Sequence, residues 1–205
     1  MKTRRLFNFL MVAVLFTACR KKENPPWPPD PVPDLVCTGN GSTSYFPLAV
    51  GNSWEYDDNA CQDINFLQVH YYEAVTGTNT YNNFTYFIVH NDRYVMGGDF
   101  YYRESSNGDI YYLEMQDTLH QEKLYLSANP AVTQYFPVLG IVQSTNASIS
   151  TPKCSYTGCL EISDGATYYY FKRGIGLVYK KRPGSYDCNN NPITYEASLS
   201  GITLH

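Results

Sequence analysis

Apart from one run near its start, the chain has no long hydrophobic stretch. A membrane-spanning helix needs about 20 apolar residues, so no further span is expected. Basic residues are not in excess: 15 Lys and Arg stand against 19 Asp and Glu, a formal charge of −4. Nucleic-acid binding calls for a basic face, and no such partner is expected. Histidine is scarce, at His70, His90, His120 and His205. No H-E-x-x-H, G-x-S-x-G or Walker loop occurs. No catalytic residue, metal ligand or cofactor is therefore assigned. Convincing amphipathic helices are also missing.

The one apolar run explains where the protein sits. Lys2, Arg4 and Arg5 precede "LFNFLMVAVLF", residues 6–16. That suits the h-region of a secretory signal peptide over residues 1–18. "LFTAC" then sets Ala18 before Cys19. This resembles the lipobox of bacterial lipoproteins, in which the cysteine is acylated and becomes the first mature residue. Stable anchoring takes more than one acyl chain. Residues 19–36 hold "NPPWPPDPVPD", which proline bars from helices and central strands. At about 3.1 Å per residue in polyproline II, the tether spans on the order of 45 Å. Trp27 reads either as an interfacial residue or as a solvated one. Removing residues 1–18 takes away three of the 15 basic residues, and leaves a net charge of −7.

Residues 37–205 read as one all-β domain. The chain has 20 tyrosines and 10 phenylalanines, and tyrosine, threonine and valine favour pleated, half-buried surfaces. Runs of five to twelve residues alternate with turn residues: "SWEYD", "INFLQVHYYEAV", "FTYFIVHND", "RYVMGGDFYYRE", "DIYYLEM", "QEKLYLS", "IVQSTNASIST", "CLEIS", "TYYYFKR", "LVYKKR" and "ITYEASLSGITL". About eleven strands so spaced predict an antiparallel meander, as a barrel, half-barrel or sandwich. In "GDFYYRESSNGDIYYLEM" a four-residue loop, Ser105 to Gly108, pairs Glu104 with Asp109. Tyr102 then opposes Tyr111 and Phe100 opposes Leu113, while Tyr101 and Tyr112 share the outer face. Those outer rings serve as a cross-strand pair or as a shallow stacking surface for a sugar or other flat ligand.

Two stretches carry a resemblance. "YFPLAVGNSWEY", residues 45–56, resembles the F-P-L-x-x-G-x-x-W-x-Y opening of the folded domain in uncharacterised Bacteroidota envelope lipoproteins. "YYYFKRGIGLVYKK", residues 168–181, is similar to their late G-[IV]-G-L-V segment. The resemblance implies an all-β envelope lipoprotein and no activity. Locally, Trp54, Phe46 and Leu48 look like a core plug. Gly174 and Gly176 can take positive φ and close a hairpin between 167–172 and 177–182. Surface-displayed lipoproteins of such envelopes carry an acidic cluster after the cysteine. Here Arg20, Lys21, Lys22 and Glu23 follow it, so an outer-membrane lipoprotein facing the periplasm is expected.

Five cysteines remain after Cys19 in an oxidising compartment. Cys154 and Cys159 flank "SYTG", and a turn there would make a cross-strand disulfide. Cys37, Cys61 and Cys188 would leave one bond and one free thiol. A zinc site from Cys154, Cys159 and a histidine has poor spacing. His70 and His90 read as hydrogen-bonded strand residues. Asp57 and Asp58 form a carboxylate pair in a loop. The expected function is a non-catalytic binding or scaffolding domain, held to the membrane through Cys19, with an unknown envelope ligand or protein as partner. The alternatives are a lipid or lipoprotein carrier with a curved open sheet, and a glycan-active enzyme, which would need two acids in a cleft.

Overall fold

The computed structural model describes residues 35–59, 70–93, 98–114, 121–186 and 192–205. Cys19, the signal segment, most of the tether, Cys61, His120 and Cys188 lie outside the described residues. Those described fall within one compact unit. A single helical turn, α1 (Leu35–Thr38), leads into the sheet. Its strands are β1 (Ser53–Asp58), β2 (His70–Tyr81), β3 (Phe84–Asn91), β4 (Gly98–Glu104), β5 (Ile110–Leu113) and β6 (Glu122–Leu126). Then follow β7 (Tyr135–Phe136), β8 (Gly140–Ser150), β9 (Ser155–Ser163), β10 (Tyr168–Lys172), β11 (Gly176–Tyr186) and β12 (Pro192–Thr203).

All twelve form one antiparallel sheet in the order β6-β5-β4-β3-β2-β1-β12-β11-β10-β9-β8-β7. Spatial neighbours are sequence neighbours throughout, except that β1 pairs with β12. The sheet curls until its edge strands, β6 and β7, approach each other. The result is a nearly closed barrel, the first of the three expected shapes. Each expected run contains a strand, and β7 is the added one. Burial follows the pleat: in β1, Trp54, Tyr56 and Asp58 are buried while Glu55 and Asp57 are exposed. Asn82 and Asn83, at φ 48° and 65°, make the two-residue turn from β2 to β3.

The two motif stretches meet at one end of the barrel. Phe46 stacks on Trp54 at 5.5 Å between ring centroids and meets Tyr102 edge-on at 5.0 Å. The Trp54 indole N–H donates to the carbonyl of Ile175 in the β10–β11 turn. Gly176, at φ 111°, has no side chain to obstruct it, and a Cβ there would lie 2.9 Å from Trp54 Nε1. The Tyr56 hydroxyl donates to the Leu177 carbonyl at 3.2 Å. Above the turn, the Gly174 amide donates to Ser44 at 2.8 Å, and Arg173 lies 4.2 Å over the Tyr45 ring. The buried amide of Asn52 ties Pro47 to the chain end: Nδ2 donates to the Pro47 carbonyl and Oδ1 accepts from the His205 amide.

Three expectations are corrected. Glu104 pairs with Ile110, not Asp109, so the β4–β5 loop has five residues. Asp109 leaves the ladder because its carboxylate accepts hydrogen bonds from Ser127 Oγ, the Ala128 amide and Asn107 Nδ2. Tyr102 therefore opposes Tyr112 inside the barrel, their centroids 5.5 Å apart. Tyr101 faces outward opposite Leu113, so Tyr101 and Tyr112 lie on opposite faces and form no stacking surface. The second correction is the disulfide. "SYTG" lies inside β9, and the turn is Thr151 to Cys154, whose Thr151 amide donates to the Cys154 carbonyl at 2.8 Å. Five positions along a strand span roughly 16 Å, beyond disulfide reach. Cys154 instead bonds Cys37, with Cα atoms 5.6 Å apart. Cys159 is a free, buried thiol that burial pushes up to about 11, which makes it a poor nucleophile. Third, Asp57 and Asp58 belong to β1, one on each face.

Two stability measurements follow. The Cys37–Cys154 bond joins residues 117 apart, and long loops lose the most chain entropy when crosslinked. Non-reduced peptide mapping should recover this link, and the Cys37→Ser, Cys154→Ser pair should lose about 2–4 kcal/mol of unfolding free energy. A dominant Cys154–Cys159 peptide would contradict it. Gly176→Ala should cost about 1–3 kcal/mol from its backbone conformation alone, read from urea unfolding. A variant as stable as the parent would contradict the left-handed backbone at this position as well as the close approach of Trp54.

Candidate functional site

Inward positions of small barrels are normally filled by packed side chains. Here the filling changes along the wall. Close to the plug it is aromatic, with Tyr125 meeting Tyr102 at 5.0 Å and Phe171 at 6.4 Å. Each such pair adds about 0.5–1.5 kcal/mol beyond its buried area. Further along β1 the inward series Trp54, Tyr56, Asp58 ends in an acid. Neighbouring strands do the same. Glu73 follows Tyr71 inward on β2, Asn91 follows Val89 on β3, and Arg93 lies just past the end of β3. Lys180 joins them from β11, opposite Tyr169.

These groups hold one another in place. Tyr195 Oη donates to Asp58 Oδ2 at 3.1 Å, and Arg93 Nη2 is 3.5 Å from the same oxygen. The Arg93 guanidinium also lies over two rings, 4.7 Å from Tyr195 and 5.2 Å from Tyr71. Asn91 Nδ2 donates to Glu73 Oε1 at 2.6 Å. Lys180 Nζ sits 5.3 Å from the Tyr169 ring centroid. Among the described residues no carboxylate lies within ion-pair distance of it.

Glu73, Asn91, Arg93 and Lys180 border a cavity of about 150 Å³, walled otherwise by rings such as Tyr71, Tyr125 and Tyr169. Burial pushes the Glu73 carboxyl above its ordinary value, and the Asn91 hydrogen bond with the charges of Lys180 and Arg93 offsets this only in part. Burial, aided by Arg93, draws the Lys180 ammonium below its ordinary value. The phenols of Tyr71, Tyr102 and Tyr125 are raised by burial and stay protonated donors. Taking an ion out of water costs several kcal/mol. A concave site with convergent polar groups and displaced pKa values is the ordinary description of a binding or active site.

A second cavity, of about 340 Å³, borders the β4–β5 loop beside Glu104 and Arg173. Its cation already donates to the carbonyls of Thr43 and Ala128. The inner chamber is the stronger candidate. Among the described residues no group of three or more His, Cys, Asp and Glu side chains is placed to hold a metal ion.

Most residues singled out from the sequence stand away from the chamber. His70 and His90 are hydrogen-bonded on the outer face, to Asp57 at 2.9 Å and to Asp99 at 2.8 Å, as expected. Tyr101 is outside, and of the expected stacking pair Tyr112 alone points inward. Glu73, Asn91, Arg93 and Lys180 carry no sequence motif. Strand alternation was the available signal, because Tyr56-x-Asp58, Tyr71-x-Glu73 and Val89-x-Asn91-x-Arg93 each continue a buried series.

Glu73→Gln keeps an acceptor for Asn91 and removes the charge. A carboxyl whose pKa rises on folding contributes its stability below the unfolded value, near 4.5, and loses it as pH rises through the folded value. Glu73→Gln should therefore melt higher than the parent at pH 7–8 and match it near pH 4. Melting curves across that range check this. A variant less stable than the parent at pH 7–8 would mean that Glu73 is ionised and stabilised by its cations.

No family model and no curated protein matches the chain. Two solved structures are similar to it. One is described as an exported protein with a YmcC-like fold, from Bacteroides fragilis: it is 11% identical, with a TM-score of 0.47, over 78% of this chain and 99% of its own. The other is described as a lipoprotein, from Parabacteroides distasonis: it is 14% identical, with a TM-score of 0.46, over 79% of this chain and 99% of its own. Likeness at this level supports no assignment.

Proposed function

We propose that this chain is a cell-envelope lipoprotein, anchored by acylated Cys19 to the outer membrane and facing the periplasm, whose β-domain binds a small ligand without transforming it. The anchor rests on the sequence: a short apolar core, Ala18 before Cys19, and a proline-rich tether. The binding part rests on one observation, the charged chamber inside an aromatic barrel. Evenly packed apolar side chains would stabilise such a wall better than buried ions do. The ions are therefore read as there to meet something.

The lipid-carrier alternative fits the interior poorly. Pockets for drug-sized ligands begin near 300 Å³, and this chamber is about 150 Å³ with four polar or charged residues in its wall. An acyl chain calls for a longer, apolar hollow. Scaffolding through the outer face remains compatible with the same anchor.

Two experiments bear on this reading. Cys19→Ala should leave the protein unprocessed or soluble after fractionation and without incorporated radiolabelled palmitate. A processed, lipid-labelled variant would overturn the anchor. Purified protein incubated with envelope glycans should release no products by mass spectrometry. Turnover that disappears in Glu73→Gln or Asp58→Asn would replace binding with catalysis.

A further inference from the structure

We propose that the chamber is a receptor for a small monocarboxylate, gripped between Lys180 Nζ and the Arg93 guanidinium. This deepens the binding reading and depends on it. Charge is the first argument. The chamber wall carries two cations, Lys180 and Arg93, and one acid, Glu73. Arg93 reaches Asp58 through Nη2. Lys180 has the face of Tyr169 and, among the described residues, no carboxylate within 4.0 Å. Glu73 and Asp164 act on this half-buried ammonium only from beyond contact distance, and an ammonium held out of water with no carboxylate in contact is costly. A ligand carboxylate removes that cost and gains charge-assisted hydrogen bonds from both cations. A cationic ligand would instead be set against Lys180 and Arg93.

Size is the second argument. The chamber, about 150 Å³, is about ten times the volume that admits one water and half that of the smallest drug-sized pockets. A ligand of a few heavy atoms fits. The wall supplies the rest of the selectivity. Phe100, Leu177 and the Tyr125 ring offer an apolar surface for a short carbon tail. Beyond the two cations the wall offers a second carboxylate no further cation and, at Glu73, another acid fixed by Asn91, so monocarboxylates are favoured over dicarboxylates.

The test uses the full lipoprotein in detergent micelles at neutral pH. Calorimetry and saturation-transfer NMR follow propionate, succinate, methylammonium and glycerol separately. Propionate should bind saturably at one site, and succinate at least about tenfold more weakly. Lys180→Met should weaken propionate by about tenfold or more without lowering the melting temperature. Lys181→Met, one position along β11 on the outer face over Tyr168, should bind propionate as the parent does. If Lys180→Met does not fold, Lys180→Gln takes its place. Propionate binding that survives the loss of the Lys180 charge overturns the proposal. Binding of methylammonium or glycerol without propionate overturns the carboxylate and leaves a binding chamber. Exclusion of all four probes overturns the carboxylate and the small-ligand reading together.

Discussion

The barrel depends on one hydrogen bond made across 121 residues of sequence, from the Trp54 indole N–H to the Ile175 carbonyl. Trp54 is fully buried on the first strand, and Ile175 sits in the turn between the tenth and eleventh. The bond requires a residue without a side chain at Gly176. Phe46, itself buried, stacks on the indole. A meander gives each strand only its neighbours. The β1–β12 ladder joins the two halves of the chain through the backbone, and this junction adds a side-chain tie between β1 and the β10–β11 turn. The segment from Gly39 to Leu48 lies over that junction and seals the end of the wall. The Cys37–Cys154 bond then fixes the entry of the segment to the β8–β9 turn.

With one end sealed by rings, the wall is stable enough to carry charge further along. Aromatic packing near Trp54 is dense, and the phenols there are held protonated. Beyond it Asp58, Glu73, Asn91, Arg93 and Lys180 converge. Arg93 is the hinge of this arrangement, bound to Asp58 and sandwiched by the rings of Tyr71 and Tyr195. That anchoring fixes one cation. Lys180 has no comparable anchor among the described residues, which is why it is the group with most to gain from a ligand.

The sequence made the strands legible and left their long-range pairing obscure. Alternation in "SWEYDD" alone places Trp54, Tyr56 and Asp58 on one face. β7 was invisible because two residues, Tyr135 and Phe136, make no pattern. β2 runs on through Gly77 and Asn79, which read as turn residues, because a register shift beside Val75 absorbs the irregularity. The β4–β5 register was missed for a non-local reason: Asp109 is drawn out of the ladder by Ser127 and Ala128. Nothing in "SYTG" shows that Cys154 ends a turn while Cys159 sits within a strand, nor that Cys37 returns to meet it. In the chamber, three inward strand positions follow plain alternation. Lys180 does not, because a register shift between Tyr179 and Leu177 resets the pleat of β11.

The proposed monocarboxylate site joins Lys180 and Arg93 across one chamber. A high-resolution crystal structure of the protein, grown without carboxylates and then soaked in propionate, tests this most directly. Ordered water should fill the chamber beforehand, and afterwards a carboxylate should touch both Lys180 and Arg93. A Lys180 side chain turned out to solvent, or a chamber closed by side chains with propionate absent, would contradict it.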